Sequence, residues 1–223
     1  AGDQSKLTQP YNPQTTEKRI YSTWKESGLF NPDICIEKGY TKKDAPAFSM
    51  VMPPPNVTGV LHMGHALMLT IEDIMVRYKR MQGFKALWIP GTDHAAIATQ
   101  SRVEKDIYKT EGKNRHQIGR EPFLRQVEGF ALKSQSTILS QVEAMGASAD
   151  WSRLAYTLDP KISHAVHTMF KKMYDDGLIY RGHRIVNWDP KGQTTISDDE
   201  IVYEPRKAKL YTFKYSHDIP ITI

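Results

Sequence analysis

The fold of this chain is decided by the stretch Met52-Pro53-Pro54-Pro55-Asn56-Val57-Thr58-Gly59-Val60-Leu61-His62-Met63-Gly64-His65. Residues 48–52 form a short apolar run. Because proline cannot donate to a strand ladder, a strand there must end at the prolines and turn. Farther on, apolar side chains recur at intervals of three and four, which predicts the inward stripe of a helix: Leu67, Ile71, Ile74, Tyr78 and Met81. This helix begins at the His-Met-Gly-His segment and ends near Gly83, and a second strand follows at residues 84–89.

The start of this helix has a chemistry that suits a phosphorylated ligand. The first turn of a helix presents unpaired N–H groups and the positive end of the helix dipole, which favour a phosphate. His62 and His65 lie three residues apart and can bond the same polyphosphate. Gly64 leaves room for a flat ring or a ribose to approach the backbone. No side chain of the stretch has the character of a nucleophile, so we expect charge stabilisation at a phosphorus centre while a substrate carboxylate attacks.

Polar residues in the two loops that flank the helix are candidates for ligand contacts. Asn56 and Thr58 can bond a nucleotide, and turn stabilisation is an equally good explanation because both side chains bond nearby backbone in turns. Asp93 lies in the loop Pro90-Gly91-Thr92-Asp93-His94-Ala95, at the carboxyl end of the second strand, where α/β proteins bind ligands. Its carboxylate can pair with an amino-acid ammonium group. The alternative is a helix N-cap, which Thr92 or Asp93 can provide.

The composition is that of an ordinary globular protein. The 223 residues are 39% hydrophobic and 25% charged, which allows one large domain or two modest ones. The net charge of +5 permits an RNA partner without requiring one. The single cysteine, Cys35, excludes an internal disulfide and a cysteine-rich zinc site. The sequence has no apolar run of membrane-spanning length, and residues 1–9 are too polar for a secretory signal, so we expect a cytoplasmic protein. A removed mitochondrial targeting segment is the alternative.

The rest of the chain predicts elements that extend the strand–helix–strand unit. We expect helices at residues 16–28, 95–112, 121–146 and 160–176, a loop at 31–46, a third parallel strand at 178–188, and a hairpin of residues 209–215 and 219–223 around Ser216-His217-Asp218. This order is typical of the first half of a doubly wound parallel sheet with a helical insertion. We divide the chain into an N-terminal extension with a helix (1–46), the sheet with its insertion (47–205) and the hairpin (206–223). Because the sequence stops within a strand pair, we expect a fragment of a longer protein.

The segment His62-Met63-Gly64-His65 resembles the signature of the class I aminoacyl-tRNA synthetases. Residues 53–59 and 91–95 resemble the flanking loops of valyl-tRNA synthetases, whereas isoleucyl and leucyl enzymes normally differ in both loops. Asn187-Trp188-Asp189-Pro190 adds to the resemblance, which extends from residue 11 to the C-terminus. It implies a Rossmann-like catalytic domain that activates valine with ATP to valyl-adenylate and transfers the valine to tRNA(Val). Mg²⁺ would accompany the ATP, held largely by its phosphates.

The resemblance also implies roles for individual residues. His62 and His65 would be catalytic, stabilising the pentavalent phosphorus. The implied ATP contacts are Asn56, Thr58, Gly59, His62, Gly64 and His65. The implied valine contacts are Pro53, Pro54, Asn56 and Asp93, with Asp93 as the partner of the ammonium group. Related synthetases often carry a cysteine-built zinc site near residues 187–190, but this sequence has no cysteine there, so we expect no structural zinc and no other metal site.

The resemblance further implies that important parts lie beyond this sequence. In the valine enzymes, an editing domain is inserted after a hairpin such as the one at 206–223, and the second half of the sheet follows with a second, lysine- and serine-rich signature. The sequence contains neither, so we expect no editing and incomplete activity from this chain alone. The full-length enzyme is expected to be a monomer.

Two other interpretations stay open. One is an isoleucyl or leucyl enzyme, and the other is a non-catalytic module that binds nucleotides or RNA and derives from a synthetase. A basic stretch either faces tRNA or is a solvated helix face: Lys105, Lys109, Lys113, Arg115 and Arg120.

Overall fold

The computed structural model describes residues 10–214 and 220–222 of the chain. The helices are α1 (Pro13–Ser27), α2 (Pro32–Glu37), α3 (Met63–Met81), α4 (Ala96–Glu111), α5 (Arg115–Ile118), α6 (Arg120–Ala144) and α7 (Pro160–Asp175). The strands are β1 (Ala47–Val51), β2 (Lys85–Ile89), β3 (Gly91–Thr92), β4 (Ala155–Tyr156), β5 (Trp188–Asp189), β6 (Thr194–Thr195), β7 (Thr212–Lys214) and β8 (Pro220–Thr222). The chain divides into two compact units, Ala1–Lys171 and Lys172–Ile223.

The first unit is built on short parallel strands. β1 pairs with β2 in parallel, in a register that runs from Ala47 opposite Lys85 to Val51 opposite Ile89. β3 follows β2 after Pro90 and pairs in parallel with β4. The predicted strands at 48–52 and 84–89, and the helix between them, are therefore confirmed.

The predicted third parallel strand at residues 178–188 is wrong. Of these residues only Trp188 lies in a strand, and that strand, β5, pairs antiparallel with β6. The apolar side chains that suggested a buried strand are exposed, among them Leu178, Tyr180 and Ile185. The third parallel segment is β4 instead. The backbone N–H groups of Asp150 and Ala155 donate to the carbonyl oxygens of Trp88 and Pro90.

The main core of this unit lies between α3, the parallel strands and α6. Trp88 is fully buried at its centre, and its buried neighbours include Met52, Val57, Leu69, Val76, Ile138 and Val142. A second cluster joins α4 to α6 through Val103, Ile107, Phe123 and Val127. The predicted helical insertion is confirmed, and Ile97 and Met145 are exposed on it.

The predicted inward stripe of α3 is also wrong, because this helix packs through another face. Leu67, Ile71, Ile74, Tyr78 and Met81 are all exposed, whereas Leu69 and Val76 are buried. Polar side chains share the packed face. Glu72 accepts a hydrogen bond from the Trp88 indole (3.0 Å), and Asp73 accepts one from the backbone N–H of Ser148 (2.9 Å).

Two further helices differ from the expectation. The predicted loop at 31–46 contains α2, which Asn31 caps by accepting from the N–H of Asp33. Helix α7 has the predicted bounds, but Val166, Met169 and Phe170 of its apolar stripe are exposed. No helix in the described part of the chain is long and apolar enough to cross a membrane.

The second unit contains two short antiparallel strand pairs. β7 and β8 pair from Thr212 opposite Thr222 to Lys214 opposite Pro220, which confirms the predicted hairpin. Its predicted turn at Ser216-His217-Asp218 lies outside the described residues, as does the polar N-terminus at 1–9.

Candidate functional site

The proline-rich loop is held as a continuation of the parallel sheet. The N–H of Met52 donates to the Ile89 carbonyl (2.9 Å), the N–H of Asp93 to the Pro55 carbonyl (2.8 Å), and the N–H of Val57 to the Asp93 carbonyl (2.8 Å). The Val57 side chain is fully buried. Two neighbouring loops at the carboxyl ends of β1 and β3 are thereby fixed against each other, at the edge where open α/β sheets bind ligands.

A cleft of about 380 Å³ lies between this loop and the start of α3. It is lined by Pro53, Pro54, Pro55, Asn56, Thr58, Gly59, Val60, His62, His65 and Met68. Most of the predicted ATP and amino-acid contacts are therefore brought together on its walls. Pro55, Val60 and Met68 were not predicted, because nothing in their spacing separates them from packing residues. Gly64 and Asp93 do not line the cleft.

His62 and His65 form a reciprocal cap at the N-terminus of α3. The N–H of Gly64 donates to His62 Nδ1 (3.1 Å), and the N–H of His62 donates to His65 Nδ1 (3.2 Å). Their ring centroids are 3.9 Å apart. This is the arrangement of a capping box, with imidazole nitrogens in place of the usual oxygens.

The cap fixes which ring nitrogen carries the proton. A neutral imidazole that accepts a hydrogen bond at Nδ1 carries its proton at Nε2. Within the described part of the chain no hydrogen bond engages either Nε2 atom, and both rings line the cleft. The pKa of His65 is lowered, first by burial and then by the neighbouring His62, which favours this neutral form. The two rings therefore offer two N–H donors to the cleft.

Gly64 makes room for the His62 ring itself. A Cβ at this position would lie 2.9 Å from Cε1 of His62, closer than real Cβ atoms approach, and 3.1 Å from its Nδ1. We expected Gly64 to leave room for a ligand, whereas the space beside it holds the ring that caps the helix.

Asn56 and Thr58 are not engaged in stabilising their own turn. Within the described residues, neither side chain makes a hydrogen bond to the protein, and both line the cleft. The loop is instead held by a residue that the sequence did not single out, since Gln141 Oε1 of α6 accepts from the N–H of Leu61 (2.9 Å). The two polar side chains are available for a ligand.

Asp93 lies beside the cleft, where its backbone pairs with that of Asn56. Its Oδ1 accepts from the N–H of Ala95 (3.0 Å) and from the Thr157 hydroxyl (3.0 Å). The residue at the N-cap of α4 is Ala95, with φ of 50°, so neither Thr92 nor Asp93 is the N-cap. Thr92 is buried, and its hydroxyl oxygen accepts from the amide of Gln135 (2.8 Å).

The surroundings of Asp93 are rich in negative charge. His94 Nδ1 and the Tyr156 hydroxyl are 2.6 Å apart, and their rings meet edge to face. Burial raises the pKa of Tyr156, and the nearby carboxylates of Asp93, Asp159 and Glu128 raise it further. A cationic group is favoured at such a place.

The described residues contain no group of three or more histidine, cysteine, aspartate or glutamate side chains placed to hold a metal ion.

The basic stretch predicted in the insertion lies partly beside a second cleft, of about 350 Å³, lined by Gln100, Arg115, His116, Gly119, Arg120, Phe123 and Leu124. Arg115 is paired there with Glu104 (3.4 Å).

Comparison with known proteins shows which family this chain matches. Residues 19–216 match the model of the class I tRNA synthetases (I, L, M and V). The valine–tRNA ligase of Chlamydia muridarum is 48% identical over 213 residues, which are 96% of this chain and 22% of that protein. That of Protochlamydia amoebophila is 48% identical over 211 residues, which are 95% of this chain and 22% of that protein. This chain therefore spans about a fifth of the length of these relatives.

Among solved structures, the fold resembles LeuRS of Agrobacterium radiobacter K84, in its ternary complex with tRNA and LeuAMS. The TM-score is 0.58 at 20% identity, over 80% of this chain and 21% of that one. The likeness concerns the fold.

Proposed function

We propose that this chain, which belongs to the class I tRNA synthetases (I, L, M and V), is the N-terminal catalytic part of a valine–tRNA ligase. The complete protein would form valyl-adenylate from valine and ATP and then transfer the valine to tRNA(Val). The observation that carries this proposal is the cleft in which the proline-rich loop faces the His62–His65 cap.

The two histidines would act through hydrogen-bond donation. The carboxylate oxygen of valine attacks the α-phosphorus of ATP, a bond forms between them, and the bond to pyrophosphate breaks. Charge grows on the phosphorus oxygens during this step, and the Nε2–H groups of His62 and His65 would donate to them. The attacking carboxylate is already ionised at neutral pH, so the step needs no general base.

The amino acid would be held beside the phosphates by the neighbouring loops. Asp93 would pair with its ammonium group, and Pro53 and Pro54 would form part of an apolar wall for the branched side chain. Asn56 and Thr58 would contact the nucleotide, together with the backbone of Gly59. Gly64 would contribute to ATP binding by leaving the place that the His62 ring occupies at the first turn of α3. Mg²⁺ would accompany the ATP through phosphate oxygens.

The valine assignment is supported by the relatives named above. The remaining partners follow from the family: ATP and tRNA(Val), with residues 47–205 as the proposed catalytic half-domain and 206–223 as the proposed entry to an editing domain. We also propose a cytoplasmic, monomeric full-length enzyme.

The proposal is tested by amino-acid-dependent ATP–pyrophosphate exchange, measured on the protein made from the complete reading frame that encodes this chain. Valine, isoleucine, leucine and threonine are compared at equal concentration. Threonine is included because an apolar pocket rejects an isosteric hydroxyl poorly, a weakness for which valine enzymes are the established example. We expect the highest kcat/KM with valine. Preference for isoleucine or leucine would contradict the valine assignment, and no exchange with any amino acid would favour a non-catalytic binding module.

A further inference from the structure

We propose that Thr157 is a positioning residue that aims the Asp93 carboxylate at the ammonium group of the amino acid. This inference rests on the proposed function, in which Asp93 is the partner of that group. Neither the sequence pattern nor the family signature drew attention to Thr157, which follows a strand of only two residues.

The topology brings Thr157 to Asp93. β3 ends at Thr92 and β4 at Tyr156, and the two strands pair in parallel with these residues opposite each other. The next residues along each strand are Asp93 and Thr157. The register is continued by the N–H of Thr157, which donates to the Thr92 carbonyl (3.2 Å).

The hydroxyl group of Thr157 accepts one hydrogen bond and donates its proton to one acceptor, the Asp93 carboxylate. A hydroxyl has a single proton to donate and two lone pairs with which to accept. The N–H of His94 donates to Thr157 Oγ1 (2.9 Å), and Thr157 Oγ1 in turn donates to Asp93 Oδ1 (3.0 Å). Thr157 thus ties the carboxylate of Asp93 to the backbone of the following residue.

These contacts set the orientation of the carboxylate. Oδ1 accepts from both Ala95 N–H and the Thr157 hydroxyl, whereas no donor among the described residues reaches Oδ2. The carboxylates of Asp159 and Glu128 lie close enough to the Tyr156 hydroxyl to raise its pKa, so the local field favours a cation. With Oδ1 held by two donors, Oδ2 is the oxygen presented to an ammonium group.

The test separates positioning from a general structural role. Exchange kinetics are measured in the complete protein with Thr157→Val, which keeps the shape but removes the hydroxyl, and with Thr157→Ser, which keeps the hydroxyl. Loss of a hydrogen bond to a charged group of this kind corresponds to roughly a tenfold change. We expect Thr157→Val to raise KM for valine by about tenfold with KM for ATP unchanged, and Thr157→Ser to restore the KM for valine to within about threefold.

A double-mutant cycle shows whether Thr157 acts through Asp93. In an Asp93→Ala background, which removes the acceptor of the Thr157 hydroxyl, adding Thr157→Val should change KM for valine by less than about twofold. The matched control is Thr137→Val on α6, because that hydroxyl donates only to the Lys133 carbonyl of its own helix. Unchanged KM for ATP also shows that the Thr157 variants are folded.

Each outcome decides the matter. If the unsubstituted protein exchanges with valine and Thr157→Val leaves KM for valine unchanged, or changes the KM for valine and the KM for ATP alike, the positioning role is wrong while the proposed function stands. Equal effects of Thr157→Val with and without Asp93 would also overturn it. If the unsubstituted protein shows no valine-dependent exchange, both the proposed function and this role for Thr157 fail.

Discussion

His62 and His65 use different atoms of the same rings for structure and for the proposed chemistry. Nδ1 of each ring accepts a backbone N–H at the start of α3, which leaves Nε2–H directed to solvent or ligand. Protonation of a ring would add a proton at Nδ1, so that Nδ1 could no longer accept the backbone hydrogen bond. The donors that the proposed reaction would use are thus oriented before any substrate binds.

This arrangement predicts a pH-dependent stability that one substitution removes. The pKa of His65 is lowered in the folded protein, mainly by burial, from the ordinary value of 6.5. The neutral ring therefore makes its full contribution to the free energy of unfolding above the unfolded pKa. This contribution is lost as the pH falls through the lower pKa of the folded protein. In His65→Gln the amide oxygen can accept the same N–H without titrating. We expect urea unfolding from pH 8 to pH 5 to show wild type losing stability relative to His65→Gln below about pH 6.5.

A constant difference between the two proteins across that pH range would contradict the role of neutral His65 in the cap.

Gly64→Ala tests the close packing of the cap at a second position. The added Cβ would displace the His62 ring, since it would lie 2.9 Å from Cε1. We expect loss of the cap, a destabilisation of about 0.5–2 kcal/mol in urea unfolding, and reduced exchange activity. The control is Gly129→Ala within α6, where the new Cβ meets nothing within 4 Å and should stabilise by about 0.5–1 kcal/mol. Equal effects of the two substitutions would contradict the packing of Gly64 against His62.

For single residues, the sequence predicted which side chains line the cleft better than it predicted which residues hydrogen-bond to one another. Histidines, prolines, Asn56 and Thr58 carry the local signal, and the structure places them on one cleft. The contacts of Gln141 with Leu61 and of Thr157 with Asp93 join residues 80 and 64 positions apart. No local spacing records such pairs, because they arise only when α6 and β4 reach the sheet.

Helix α3 was predicted at the right residues but with the wrong face buried. Its bounds follow from a cap, a periodic pattern and a terminal glycine, all of which are local. Its packed face carries Glu72, Asp73 and Arg80. The pattern of apolar residues predicts that such charged side chains lie on the solvent-exposed face. Arg80 donates to the Ser148 carbonyl (2.7 Å), and Asp73 bonds the same residue, so polar contacts hold the turn that leads into the third parallel segment.

Two leucines on α3 distinguish the observed face from the predicted one. Leu69 is 1% exposed, whereas Leu67, two positions away, is 64% exposed. We expect Leu69→Ala to cost about 2–5 kcal/mol of unfolding free energy, and Leu67→Ala to change it by less than about 0.5 kcal/mol. The pair is its own control, since chemistry and helix are the same. A larger cost at Leu67 would restore the stripe that the sequence predicted.

The parallel strands show the same limit at the level of elements. β1 and β2 are apolar runs bounded by prolines and glycine, and both were predicted. β4 has two residues, too few for a period, and it is a strand only because the backbone at Gly91–Thr92 pairs with it. Residues 178–188 have the composition of a buried strand, yet each of them is exposed or half-buried in the structure.

On the scale of the whole molecule, the described structure leaves many large apolar side chains exposed. They include Ile71, Ile74 and Tyr78 on α3 and Val51 on β1. Such surface usually marks an interface. The valine–tRNA ligases compared above are more than four times as long as this chain, and we propose that further structure of the complete protein covers these residues.

In the proposed function, the loop with Asn56 and Thr58 and the helix start with His62 and His65 form the two walls of one adenylate site. The most direct test is calorimetric titration of the complete protein with a valyl-adenylate analogue in which a sulfamate replaces the phosphate. We predict that Thr58→Val on one wall and His65→Ala on the other each weaken binding by about tenfold, the loss expected for one hydrogen bond to a charged or strongly polar group. Arg102→Met, which removes an exposed ion pair on α4, should leave binding unchanged. Wild-type affinity in both wall variants would contradict the claim.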